Sequence, residues 1–273
     1  MKALALLLAF WAGIAAAGDR RYVSDEEAAL WSGVGLIYRQ GGGSCTGVLI
    51  RPDVVLTAAH CVADADAKTI YPARDFAFSA GLRDGSAVET ARARKVEVHP
   101  GYFIAAPRYD KRRVRADIAR VVLERPIAGA PSYALGRTPP SGSALTLLSY
   151  PGSARRRASI QEGCRIRTRE TEFLTLDCRS EPGASGGPYF AAGPDGRPVV
   201  VGMHSGSRER GADTFALALA FEHVRSFIGP SRATAPGAGD ASASVRRATT
   251  STGDGTRLPG GSKAGEGLKR FRQ

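Results

Sequence analysis

The feature that most limits what this chain can fold into is a series of short apolar stretches separated by turn residues. Each stretch is long enough for a β-strand but short for a helix, and clusters such as Gly41-Gly42-Gly43 and Pro194-Asp195-Gly196 lie between them. Many short strands with this punctuation predict an all-β sandwich or barrel. We expect strands at residues 34–38, 46–50, 54–57, 76–80, 95–98, 118–123, 144–148, 159–165, 172–176, 199–202 and 214–219.

The pattern changes towards the end of the chain. Phe221, Val224, Phe227 and Ile228 fall on one face of a helix, which predicts a C-terminal helix. Residues 229–273 are mostly small, polar or basic, and cannot bury enough apolar surface to offset the entropy that ordering removes. We therefore predict a disordered basic tail at 229–273.

The first residues are typical of an export signal. Lys2 is followed by fifteen uncharged residues that end in Ala15-Ala16-Ala17, the small residues that a signal peptidase requires. A transmembrane helix needs roughly 20 apolar residues. We expect a signal peptide at 1–17 and a short N-terminal segment at 18–30, and an uncleaved anchor is the alternative. The protein is then secreted or periplasmic.

Charge and cysteine content narrow the function further. The formal net charge is +12, and residues 230–273 hold eight Lys/Arg against three Asp/Glu. Aromatic residues do not interleave with the basic runs, so nucleic-acid binding has little support, and weak adsorption of the tail to anionic surfaces is expected.

The four cysteines form an even number in an exported chain, which predicts disulfides. No Cys-x-x-Cys or His-Glu-x-x-His pattern exists, so no metal site is predicted.

Three segments carry chemistry: Leu56-Thr57-Ala58-Ala59-His60-Cys61, Ala116-Asp117-Ile118-Ala119, and Pro182-Gly183-Ala184-Ser185-Gly186-Gly187-Pro188. A serine hydroxyl becomes a strong nucleophile when a histidine removes its proton and a buried carboxylate orients that histidine. The order His, Asp, Ser is one of the known orders. We assign His60, Asp117 and Ser185 as the catalytic residues. The glycines allow a turn in which the backbone N–H groups of Gly183 and Ser185 form an oxyanion hole.

These segments identify residues 31–228 as similar to the chymotrypsin/trypsin-like serine peptidases. The resemblance implies two packed six-stranded antiparallel β-barrels, at approximately 31–127 and 143–219, followed by a C-terminal helix. We expect a monomer that cleaves proteins or peptides through an acyl-enzyme and needs no cofactor. The resemblance also implies a disulfide between Cys45 and Cys61, and we expect Cys164 and Cys178, on neighbouring predicted strands, to form the second.

The chain departs from the activated zymogens of that family. Ala184 occupies the position where those enzymes carry Asp, and no Ile-Val-Gly-Gly start is present. The sequence instead resembles the bacterial branch similar to glutamyl endopeptidases. That branch places a histidine where His204 falls, and some members place serines where Ser180 and Ser207 fall. The resemblance implies that these three residues bind the substrate and prefer Glu at the cleaved position, with a charged or partly charged His204 adding attraction.

Two other functions remain as alternatives. A catalytically inactive homologue could keep this fold and act as a binding protein, although all three catalytic residues are present. A chaperone-protease would need a peptide-binding domain after the peptidase, and residues 229–273 are too few and too polar to form one.

Overall fold

The computed structural model describes residues 18–64, 66, 68–103, 110–152, 157–210 and 213–235. The predicted signal peptide and residues 236–273 of the predicted tail lie outside these ranges. Among the described residues, none of the helices has the length and apolar character that crossing a bilayer requires. The helices are α1 (Ala28–Trp31), α2 (Lys111–Val114) and α3 (Arg225–Ile228). The strands are β1 (Arg21–Tyr22), β2 (Val34–Arg39), β3 (Ser44–Arg51), β4 (Val54–Thr57), β5 (Ala63–Asp64), β6 (Thr69–Ile70), β7 (Phe76–Ala80), β8 (Glu89–Val98), β9 (Ala119–Leu123), β10 (Ala144–Ser149), β11 (Ser159–Arg169), β12 (Phe173–Leu176), β13 (Pro188–Ala192), β14 (Pro198–Arg210) and β15 (Asp213–Ala220).

The long strands form two antiparallel barrels. The first is closed in the order β2-β3-β4-β9-β8-β7. The second runs β11-β10-β13-β14-β15-β12 and closes where β12 pairs with β11, and β1 adds to the outer edge of β11. The prediction of an all-β chain with two six-stranded barrels is confirmed. The predicted C-terminal helix is also confirmed, as a 3-10 turn at Glu222–Val224 followed by α3.

Strand β3 shows how the two barrels pack. Its residues 46–50 are all buried, although side chains of a strand alternate between two faces. Leu49 lies in the core of the first barrel, whereas Val48 and Ile50 belong to a cluster that also contains Leu148 and Phe221 of the second half. One face of β3 therefore fills its own barrel and the other packs between the barrels, which fixes the cleft that separates them.

Some strand predictions were incomplete. Strand β8 begins at Glu89 rather than residue 95, because its inward residues there, Ala91 and Ala93, are small and give a weak apolar signal. Strand β13 was not predicted, since it begins with Pro188 at the end of the glycine-rich segment. A proline is tolerated at the first residue of a strand.

The disulfides and the first tail residues complete the fold. The structure joins Cys45 to Cys61 and Cys164 to Cys178, with Cα atoms 6.1 and 5.1 Å apart. In the described beginning of the predicted tail, the Arg232 N–H donates to the Ile50 carbonyl at 2.8 Å. The Thr234 N–H donates to the Ser132 carbonyl at 3.0 Å. These residues therefore bond to the first barrel and to the connection between the barrels.

Candidate active site

His60 and Asp117 meet where the first barrel faces the cleft. His60 lies on a short 3-10 turn, Ala59–Cys61, after β4, and Asp117 lies two residues before β9, which pairs with β4. The His60 Nδ1 atom is 2.8 Å from Asp117 Oδ2, and the His60 backbone N–H donates to Asp117 Oδ1 at 3.0 Å. This pairing fixes the imidazole orientation and leaves Nε2 as the atom that can exchange a proton.

Asp117 is held as a carboxylate although it is buried. Burial alone would raise its pKa, but the charge of His60 and hydrogen bonds from His60 and Ser205 outweigh that effect and lower it. The Ser205 hydroxyl donates to Asp117 Oδ2 at 2.5 Å. Asp110, the nearest other aspartate in the sequence, caps α2 instead, where its side chain accepts from the Arg112 N–H at 2.8 Å.

The loop before β13 presents Ser185 and its neighbouring backbone donors. The N–H groups of Ala184, Gly186 and Gly187 donate to carbonyl oxygens of Glu181, His204 and Ala184. In the described part of the chain, the N–H groups of Gly183 and Ser185 donate to no protein acceptor. Two unpaired N–H groups flanking a serine are the donors that an oxyanion hole requires.

Hydrogen bonds from outside the loop fix its carbonyl groups. The Gly152 N–H donates to the Pro182 carbonyl at 2.5 Å, and the Thr46 hydroxyl donates to the Gly183 carbonyl at 2.8 Å. The Thr46 N–H also donates to the Ser185 carbonyl at 2.8 Å. In a trans peptide the N–H points away from the carbonyl, so holding the Pro182 carbonyl turns the Gly183 N–H to the opposite side. Ala184 is apolar and buried and cannot fix the loop through an ion pair. These hydrogen bonds fix the loop instead.

Ser185 and His60 line one cleft of about 430 Å³ between the barrels. The His60 Nε2 atom is buried and, among the described residues, has no hydrogen-bond partner, so the bond to Ser185 Oγ is not formed in this state. Such bonds often tighten only when substrate is present. The cleft is also lined by Ser180 and Ser207 from the second half of the chain and by Arg39 and Tyr71 from the first.

His204 lies behind the wall of this cleft rather than on it. The side chain is 0% exposed, its Nε2 atom is 2.7 Å from the Ser180 hydroxyl, and its Nδ1 atom is 3.0 Å from the Tyr189 hydroxyl. Burial lowers the pKa of His204 to about 3. The expectation of a charged or partly charged His204 therefore disagrees with the structure: the imidazole is neutral because burial disfavours its charged form.

The direction of this hydrogen-bonded chain follows from Tyr189. Among the described residues, the buried Tyr189 hydroxyl has only His204 Nδ1 as a hydrogen-bond partner. The tyrosine O–H then donates to Nδ1, the proton of the neutral ring sits on Nε2, and Nε2–H donates to Ser180. The Ser180 hydroxyl is left to donate into the cleft. Arg179, which precedes Ser180, lines a separate cleft beside Asp19 and Arg20.

One group of possible metal ligands occurs in the described residues: Cys45, His60 and Cys61. The two sulfur atoms are bonded to each other, and a disulfide offers no thiolate to a metal ion.

Three residues that hold this site were not found from the sequence: Thr46, Tyr189 and Ser205. Each is a buried polar residue in or beside a strand, and each acts on a partner distant in sequence; Thr46 and Gly183 are separated by 137 positions. A polar residue inside an apolar strand is the signal that could have indicated them.

Comparison with known proteins agrees with the geometry. A family model described as trypsin-like peptidase domain matches residues 45–203. A solved structure of a Glu endopeptidase in complex with MPD is similar with a TM-score of 0.64 and 20% sequence identity, over 77% of this chain and 94% of that chain. Among curated proteins, none is similar enough to match the chain.

Proposed function

This chain belongs to the trypsin-like peptidase domain family, and from that membership we propose that it is a serine endopeptidase that acts outside the cytoplasm on proteins or peptides. The observation that carries the proposal is the pair of unpaired N–H groups on Gly183 and Ser185 beside an oriented His60–Asp117 pair. The two disulfides fit an oxidising compartment.

Each of these groups has a defined role in the proposed reaction. His60 Nε2 takes the proton of Ser185 Oγ while that oxygen attacks the substrate carbonyl carbon. The N–H groups of Gly183 and Ser185 donate to the developing oxyanion, and Asp117 stabilises the imidazolium. His60 then protonates the leaving amine, and water repeats the sequence to release the acyl group from Ser185.

A fluorophosphonate probe tests whether Ser185 is an activated nucleophile. We expect the native protein to be labelled at Ser185, with labelling lost on heat denaturation and in Ser185→Ala. Ser226→Ala is the matched control, because Ser226 is an exposed serine on α3 outside the cleft. Peptide mapping locates the label. Native protein that stays unlabelled would favour the catalytically inactive binding protein.

We further propose that the cleaved bond follows a glutamate, bound by the hydroxyls of Ser180 and Ser207 with His204 behind them. Both hydroxyls line the cleft, and the Tyr189–His204–Ser180 chain turns the Ser180 O–H towards it. A carboxylate accepts from both hydroxyls, whereas the NH₂ group of glutamine would meet donors. The resemblance to a Glu endopeptidase in fold supports the same choice.

Glutamate preference should stay constant between pH 5.5 and 8. His204 has a pKa of about 3, so its ring gains no charge in that range, and a substrate glutamate is ionised throughout. Matched peptides with Glu, Gln, Lys or Phe at the cleaved position, assayed for kcat/KM across this range, provide the measurement.

We expect the Glu/Gln ratio of kcat/KM to fall about tenfold in Tyr189→Phe, because this change removes one neutral hydrogen bond of the Tyr189–His204–Ser180 chain.

A Glu/Gln ratio that rises as the pH falls below about 6.5 would contradict a neutral His204. Preference for Lys, Arg or a large apolar residue that is unaffected by His204→Ala would contradict the glutamate proposal and leave the peptidase proposal intact.

A further inference from the structure

The part of the cleft lining that comes from the first half of the chain carries a second set of recognition groups. Arg39, the last residue of β2, and Tyr71 line it beside the Cys45–Cys61 disulfide. Neither residue is used by the proposed chemistry or by the pocket for the cleaved residue. Among the described residues that line this cleft, Arg39 is the one lysine or arginine.

The Arg39 guanidinium is held in one place by its neighbours. Its central carbon lies 3.8 Å from the centroid of the Tyr71 ring, a cation–π contact. Gly42 covers the same group, because a Cβ atom at Gly42 would lie 2.4 Å from Arg39 Nε. A planar cation that contacts both an aromatic ring and a glycine backbone loses little further freedom when it binds a ligand.

Among the ion pairs of the described residues, Arg39 takes part in none, and its guanidinium contacts the Tyr71 ring instead. Several other arginines of the first half pair with carboxylates: Arg51 with Asp53, Arg83 with Asp25, Arg120 with Glu97, and Arg125 with Glu89. Arg39 is therefore a fixed, half-buried cation that faces a substrate cleft.

The chemistry of the cleft decides which part of the substrate meets Arg39. His60 must reach the leaving nitrogen to protonate it, so the peptide beyond the cleaved bond leaves on the side of His60. On that side His60 is followed by Cys61, which is joined to Cys45. Arg39 lies two residues after Ile37, which pairs with Cys45, and the Tyr71 N–H donates to the carbonyl of Val62, next to Cys61. The pocket with Ser180 and Ser207 takes the residue before the cleaved bond.

We propose that Arg39 and Tyr71 form a subsite for an acidic side chain one or two residues after the cleaved bond. The guanidinium fork donates two parallel hydrogen bonds to a carboxylate, and the Tyr71 ring supports the fork from behind. This inference rests on the proposed endopeptidase function. It adds to the glutamate preference a second acidic requirement, on the other side of the bond.

Matched internally quenched peptides test the subsite. They share all residues up to the cleaved bond, end in a C-terminal amide, and carry Asp, Asn or Lys at the first or second position after the bond. The amide makes the test side chain the sole carboxylate beyond the bond, and a parallel set with a free C-terminus shows whether a terminal carboxylate can replace it. An ester substrate that has no residue after the bond measures basal activity.

We expect the native enzyme to cleave the Asp peptides with about tenfold higher kcat/KM than the Asn peptides, because the contact is charge-assisted but partly exposed to solvent. Arg39→Gln should abolish this difference, and Arg39→Glu should favour Lys instead. Tyr71→Phe should keep the selectivity, whereas Tyr71→Ala should reduce it. Ester hydrolysis should stay unchanged in Arg39→Gln, and Arg197→Gln is the charge-matched control because Arg197 is exposed on the turn between β13 and β14.

Equal cleavage of the Asp and Asn peptides by the native enzyme would overturn the subsite, as would full selectivity in Arg39→Gln. Either result with normal ester hydrolysis leaves the endopeptidase proposal standing. A native protein that fails to hydrolyse the ester counts against the endopeptidase proposal itself, so the two failures are distinguishable.

Discussion

Replacing Ser185 by alanine should lower the turnover of a peptide substrate by about 10⁴-fold or more, since the nucleophile of the covalent step is removed. His60→Ala should cause a loss of the same order, because Ser185 Oγ then has no base. Asp117→Asn should cost about 10⁴-fold, because an amide favours the wrong imidazole tautomer. Steady-state hydrolysis of a glutamyl ester and of a peptide measures all three.

The combination of these changes should cost no more than the largest single one. Residues that act as one unit give non-additive losses, because once one is absent the others have no function left to lose. Ser226→Ala should retain full activity, and melting temperatures identify variants that fail to fold. A folded Ser185→Ala protein with near-normal turnover would refute the assignment of the nucleophile.

Gly183→Ala should lower kcat by about 10²- to 10³-fold with a smaller change in KM, as expected for loss of one oxyanion-hole donor. Gly183 has a φ of +94°, and a Cβ atom there would lie 2.4 Å from the Tyr150 carbonyl oxygen. That oxygen belongs to the backbone, so the loop rather than a flexible side chain must move. The Gly183 N–H then loses the direction that the Pro182–Gly152 bond gives it.

Gly196→Ala is the matched control for this change. Gly196 also has a positive φ, +77°, but a Cβ atom there would meet nothing within 4 Å, and it lies on the turn between β13 and β14. Its alanine variant should show the backbone strain as a lower melting temperature while kcat stays near normal. Equal kcat values in Gly183→Ala and the native enzyme would argue against Gly183 as an oxyanion donor.

The strands and the candidate catalytic residues could be predicted from the sequence because their signals are local. A strand such as Val54–Thr57 is visible in four consecutive apolar or β-branched residues. His60 and Ser185 lie in short segments whose neighbours are themselves part of the chemistry. Strand β8 shows the limit of such signals, since its inward Ala91 and Ala93 resemble any loop of small residues until a barrel encloses them.

The charge state of the candidate pocket also could not be predicted from local sequence signals. The sequence indicated His204, Ser180 and Ser207, and the structure places both serines on the cleft and His204 behind Ser180. The charge state of His204 depends on burial, and burial is a property of the whole barrel. A histidine near a serine is otherwise free to carry a proton near neutral pH.

By itself, the sequence determined the all-β class, the two barrels through their family resemblance, and the cysteines that pair, and it supplied His60, Asp117 and Ser185 as the candidate catalytic residues. Only the tertiary structure decided which groups hold the site. Thr46 hydrogen-bonds to the loop that carries Ser185, Ser205 to Asp117, and Tyr189 to His204, and the Arg39 guanidinium contacts the Tyr71 ring. The physical reason is distance along the chain. A motif is a run of neighbouring residues, whereas a hydrogen bond between Thr46 and Gly183 exists only after two barrels have closed and packed.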